Sequence, residues 1–269
     1  MNRIDTVFSQ LDTEAAFVPY ITAGHPGVDA TPEIMRLLAE NGSDIIELGY
    51  PFSDPTADGP VIQASSQQAL EAGFRRDDYF RIIRRFREHD TTTPIVAFTY
   101  YNPVFHYGTE AFIDALHDAG ADAMLLVDVP LEEQDEVMDL LQARVMHLIQ
   151  LIAPTTPDER AREIVARAGG FVYQVGLKGV TGVRKSLADD ALDNIARTRK
   201  LTDLPVCMGF GVSSGETAAA VARAAAGVVV GSALVNCITE NSADYGPALT
   251  RLVQELADAT HRPAQAGQT

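Results

Sequence analysis

The chain has no tryptophan, only two cysteines among 269 residues, and far fewer basic than acidic side chains, 21 Lys and Arg against 37 Asp and Glu. The formal charge of −16 excludes an ordinary nucleic-acid binder, since phosphate recognition needs clustered Lys and Arg. The arginine-dense segment "FRRDDYFRIIRRFREHD" (74–90) interleaves its cations with acids, and Ile82, Ile83 and Phe86 give it a helical apolar stripe. It reads as the solvated face of a helix. Cys207 and Cys237 stand in or beside apolar segments, outside any CxxC or metal-type spacing, and read as two buried, reduced thiols.

Long apolar runs are missing too. "MNRIDTVFSQL" has no continuous apolar region of the kind a signal peptide needs, and the small-apolar run 218–235 is interrupted by Arg223 and glycines. A membrane span is excluded on that ground and a cytoplasmic location is expected. The six histidines, at 25, 89, 106, 117, 147 and 261, show no HExxH spacing, and neither GxGxxG nor a P-loop occurs. No metal and no dinucleotide is expected.

What is present is an alternation. Short apolar runs recur at 16–22, 44–49, 94–100, 122–128, 147–153, 171–176, 204–209 and 227–231. Amphipathic stretches such as "TPEIMRLLAENG" and "TEAFIDALHDAG" lie between them, several closing on Gly as helix C-termini do. Eight strands alternating with helices predict a (β/α)8 TIM barrel of the α/β class, with an extra N-terminal helix and long loops after strands 2 and 6. A doubly wound open sheet is the alternative. With no composition break, residues 1–260 read as one catalytic domain and "HRPAQAGQT" (261–269) as a disordered tail.

A barrel of this kind does its chemistry at the C-terminal ends of its strands. In "DIIELGYPFSDPTADGP" (44–60), Glu47 interrupts an apolar strand, on the same face as Ile45 and Gly49. If that face points inward, Gly49 leaves room for a ligand above the carboxylate. Burial would raise the Glu47 pKa until one group can both give and take a proton near neutrality. A structural Glu paired with a hidden Lys or Arg is the competing reading. Asp58, from the same βα unit, either forms a turn or converges with Glu47 on one pocket. "GLKGVTG" (176–182) suits a closing lid or a plain connector. "MGFGVSSGE" (208–216) and "GSALV" (231–235) run from strands 7 and 8 into helices, where free backbone N–H groups attract phosphate. These residues describe an acid/base enzyme for a small phosphorylated substrate.

The strings "FVPYITAGHPG" (17–27), "IELGYPFSDPTADGPVIQ" (46–63), "YYNPVFHYG" (100–108), "LIAPTTPDER" (151–160) and "KGVTG" (178–182) make the chain resemble the tryptophan synthase alpha chain family. The resemblance covers about residues 14–255 and implies retro-aldol cleavage of indole-3-glycerol phosphate. It implies Glu47 as the acid/base, Asp58 as the group holding the indole N–H, and Tyr173 as support beside Glu47. Tyr20, Phe98, Tyr100 and Leu125 would line the indole slot, and Thr181 in the lid would bond Asp58. Gly182, Phe210, Gly211, Gly231 and Ser232 would offer N–H groups to the phosphate. Asp54 and Pro55 would face a beta chain that carries pyridoxal phosphate in an α2β2 assembly; no cofactor is implied for this chain itself. His25, Gly176, Leu177 and Ala226 depart from the family pattern. Alternatives are a stand-alone lyase that releases free indole, a non-catalytic subunit that only binds and switches its partner, and a sugar-phosphate isomerase on the same fold.

Overall fold

In a computed structural model, which describes residues 1–176, 184–209 and 211–261, each of the eight apolar runs contains a strand. They are β1 (Ala16–Thr22), β2 (Ile46–Gly49), β3 (Ile95–Thr99), β4 (Ala123–Leu126), β5 (His147–Ile152), β6 (Val172–Val175), β7 (Val206–Gly209) and β8 (Gly227–Val230). Each pairs in parallel with its chain neighbour, and β1 also pairs with β8 through Ala16↔Gly227 to Pro19↔Val230. That last pairing closes the expected barrel and leaves no free edge, so the open sheet is not formed.

The helices are α1 (Arg3–Leu11), α2 (Ala30–Glu40), α3 (Pro60–Glu71), α4 (Arg76–Arg87), α5 (Tyr101–Tyr107), α6 (Thr109–Ala119), α7 (Asp135–Ala143), α8 (Asp158–Val165), α9 (Arg184–Arg199), α10 (Gly215–Ala222), α11 (Ser232–Glu240) and α12 (Gly246–His261). Strands covered by helices outside and by each other inside are apolar on both faces, which is why they read as runs rather than alternations. The inward set includes Val18, Ile45, Val96, Leu125, Ile149 and Cys207. The outward set, with Phe17, Ile21, Leu48 and Met124, packs under the helices.

The extra N-terminal helix, α1, stoppers the inner layer from below. Ile4 is fully buried there, and the Phe8 ring lies 6.0 Å from that of Phe171. Asn2 caps α1 by accepting from the Ile4 N–H, and its amide donates to the Asp122 carbonyl.

The arginine-rich segment is α4, with Ile82, Ile83 and Phe86 buried. Arg81 and Arg85 form surface pairs with Asp78 and Asp29. Arg87 departs from the expected solvated face. It is largely buried and reaches Asp122 at 3.0 Å. Both cysteines are free, but only Cys207 is buried; Cys237 on α11 is half-buried. His261, assigned to the tail from sequence, is the last residue of α12, and its Nε2 lies 2.7 Å from Asp44 Oδ2. Residues 262–269 lie outside the described residues. Among the described residues, no helix is long and apolar enough to cross a membrane.

Candidate active site

A cavity of about 660 Å³ opens at the C-terminal ends of the strands. Glu47 forms part of its wall, aligned with Tyr20 on β1 and Val96 on β3. Because Ile45 belongs to the inner core, Glu47 two residues on also points inward. It is 1% exposed, and among the described residues its Oε1 has no hydrogen-bond partner. Burial pushes its pKa up to about 8. Among the described residues no Lys or Arg pairs with it, so the structural-pair reading of Glu47 finds no partner there. At neutral pH the carboxyl is held largely as a proton donor at the edge of a cavity.

The space above Gly49 is not vacant as the sequence suggests. A Cβ on Gly49 would lie 2.0 Å from Tyr20 Oη, so the phenol of the neighbouring strand occupies it. Gly49 is required by that close approach, and Tyr20 itself lines the cavity. Tyr20 meets Phe98 edge-on at 5.3 Å, and both line the cavity. Burial first, then Asp58, raises the Tyr20 phenol well above its ordinary range.

Asp58 also lines the cavity, on the loop between β2 and α3. Its N–H donates to the Pro55 carbonyl, which forms the turn, while its carboxylate Oδ2 accepts from Tyr100 Oη at 3.0 Å. Turn former and cavity group are therefore one residue. Asp54 is exposed and accepts from Ser53 Oγ at 2.6 Å. With half-buried Pro55 beside it, it lies outside the cavity wall.

Tyr173, on β6, lines the cavity across the barrel. Burial and then Glu47 hold its phenol protonated. Leu125 is fully buried in the inner core and does not reach the cavity wall. Tyr100 lies behind Asp58 rather than in the wall. Gly211, between β7 and α10, lines the cavity, as do Gly231 and Ser232, where α11 begins. The first intrahelical bonds there run from Leu234 and Val235 to the Gly231 carbonyl, so the N–H groups of the first turn face away from the helix body. Gly176 lines the cavity. Leu177, Thr181, Gly182 and Phe210, and with them the expected lid, lie outside the described residues.

The wall also contains Ile62, Ser213 and Asn236, which sequence reasoning did not select. Asn236 stands four residues after Ser232 on α11, so helical periodicity from the glycine motif could have found it. Ile62, on the first turn of α3, carries no chemical signal. His25 is 3% exposed, and its Nε2 is 3.0 Å from Thr239 Oγ1 on α11, so it ties the loop after β1 to that helix. Burial lowers its pKa.

Among the described residues, no three His, Cys, Asp or Glu side chains are placed to hold a metal. The site holds one buried, protonated carboxyl, a second carboxylate in the same βα unit, two phenols and a helix N-terminus in a partly apolar cavity. That set can move a proton onto and off a bound ring and hold an anionic tail.

The family model described as "Tryptophan synthase alpha chain" matches residues 8–263. The tryptophan synthase alpha chain of Marinobacter nauticus is 44% identical over 96% of this chain and 98% of its own. That of Opitutus terrae is 45% identical over 90% and 91%. Among solved structures, tryptophan synthase subunit alpha from Legionella pneumophila superposes with a TM-score of 0.90 at 37% identity, covering 97% and 98% of the two chains. A chain of tryptophan synthase from M. tuberculosis, in an aminoacrylate-bound form, gives 0.87 at 33%, covering 97% and 100%. With Glu47 at the edge of the cavity and this similarity running nearly end to end, the chain belongs to the tryptophan synthase alpha chain family.

Proposed function

We propose that Glu47 and Asp58 together cleave indole-3-glycerol phosphate into indole and glyceraldehyde 3-phosphate, the lyase half of tryptophan synthesis. The observation that carries this reading is Glu47 itself, buried and protonated at the cavity edge with Oε1 unpartnered among the described residues. Glu47 gives its proton to the ring carbon that bears the glycerol chain. Asp58 holds the indole N–H and stabilises the positive charge that grows on the ring. Glu47, now a carboxylate, takes the proton of the adjacent side-chain hydroxyl as the carbon–carbon bond breaks in the retro-aldol sense. Its protonation state is restored, and no cofactor of this chain's own takes part.

Tyr20 and Phe98 flank the ring and Tyr173 supports Glu47. The backbone at Gly211, Gly231 and Ser232, completed by Gly182 and Phe210, receives the phosphate. Asp54 and Pro55 meet the beta chain in an α2β2 assembly, where pyridoxal phosphate serves the condensation of indole.

The test is indole release by the chain alone and with a tryptophan synthase beta chain, alongside Glu47→Gln. Slow basal cleavage, raised by the partner and absent in the variant, is the expected result. Cleavage retained by Glu47→Gln would overturn the assignment. Fast cleavage indifferent to the partner would make the chain a stand-alone lyase.

A further inference from the structure

The loop that carries Asp58 is fastened from the next strand by one side chain. Tyr100 follows β3 directly, caps the start of α5 and is 3% exposed. Its hydroxyl lies 3.0 Å from Asp58 Oδ2 and 3.0 Å from the Ala57 nitrogen. Its ring stands 5.2 Å from that of Phe52, tilted by 32°. One phenol thus holds both ends of the 52–58 segment.

The hydrogen positions follow from valence. The Ala57 N–H can only donate, so Tyr100 Oη accepts there, and its single proton is directed to Asp58 Oδ2. Burial first, then the adjacent Asp58 carboxylate, keeps the phenol above its ordinary range and therefore a donor. The anchor is itself fixed to the barrel, because the next residue, Tyr101, donates its N–H to Asp128 Oδ1 at 2.8 Å, just past β4. A rigid donor aimed at a carboxylate on a loop sets the direction in which that carboxylate faces.

We propose that Tyr100 is a positioning residue of the lyase reaction, its hydroxyl held by the Ala57 N–H so as to orient the Asp58 carboxylate toward the bound ring. This rests on the role given to Asp58 above. It also accounts for a polar aromatic placed behind the cavity wall rather than in it. The phenol acts through Asp58 and does not touch the substrate.

The experiment is a double-mutant cycle on the full chain with saturating tryptophan synthase beta chain, reading indole release from indole-3-glycerol phosphate. Tyr100→Phe keeps the ring and its contact with Phe52 and removes only the hydroxyl. It should lower kcat roughly tenfold, the scale of one hydrogen bond to a charged group, while KM moves far less. In an Asp58→Ala background, which has no acceptor for the Tyr100 hydroxyl, the same change should add little. Equal fold-losses in both backgrounds, or a Tyr100→Phe rate within about twofold of the parent, would overturn the positioning role and leave Asp58 in place. Parental activity in Asp58→Ala would overturn both. Phe52→Leu separates hydroxyl from ring packing and decides the matter if Tyr100→Phe does not fold. It should keep kcat near the parent's, and a loss of the same order as that expected for the missing hydroxyl would assign the effect to packing.

Discussion

The hydroxyl of Tyr173 occupies the place where a side chain on Gly209 would begin, since a Cβ built on Gly209 lies 2.0 Å from Tyr173 Oη. β6 and β7 pair with Val175 opposite Gly209, so the phenol reaches over the end of the neighbouring strand to stand in the cavity wall. Gly209→Ala should displace that ring and lower kcat for indole release by roughly tenfold or more, the scale expected when a close-packed group is forced aside at a reacting site. Adding Tyr173→Phe should restore part of the loss, because the next contact, with Cζ, is at 2.8 Å. An unchanged rate in Gly209→Ala would remove Tyr173 from the functional wall.

Glu47 ties stability to pH. Its folded pKa of about 8 lies above the ordinary 4.5, so between those values the folded chain binds a proton that the unfolded chain has lost. The contribution is full below about pH 4.5 and is lost as pH rises through about 8. A shift of that size corresponds to roughly 5 kcal/mol. Glu47→Gln should match the parent near pH 5 and exceed it in unfolding free energy near pH 9. Parallel pH profiles for the two proteins would mean that the carboxyl is not buried as described.

Asp122 holds the opposite end of the barrel. It is 4% exposed and accepts from Arg3 at 2.8 Å, Arg87 at 3.0 Å and the Ile95 N–H at 2.9 Å. Asp122→Asn takes the charge partner from Arg3 and leaves the largely buried Arg87 with only Asp90, 3.9 Å away, and should cost about 3 kcal/mol. The site lies at the N-terminal ends of the strands, so kcat should stay near the parent's at temperatures where the variant is folded. Thermal unfolding and indole release together check both halves.

Asp54 and Asp58 share one loop but face differently, the first exposed and the second toward the cavity. Asp54→Ala should weaken the rate increase brought by a beta chain severalfold and leave basal cleavage nearly unaltered, as expected for a rim contact. Equal loss in both assays would place Asp54 in the chemistry instead of the interface.

The sequence by itself determined the barrel and the identity of its two carboxylates. Eight apolar runs separated by amphipathic helices admit few arrangements, since each strand must be covered on both faces. A Glu inside such a run is conspicuous because isolated burial of a charge is costly. Arg87, Tyr100 and Gly49 were not legible in the same way. One of several arginines on α4 is buried because Asp122, thirty-five residues on, comes to lie beside it. Tyr100 sits behind the wall, and the room above Gly49 is filled by Tyr20. These placements depend on which side chain of one strand reaches over the next, a matter of register, stagger and ring orientation around a closed sheet. Local pattern records which face a residue takes, but only closure decides who shares that face with it.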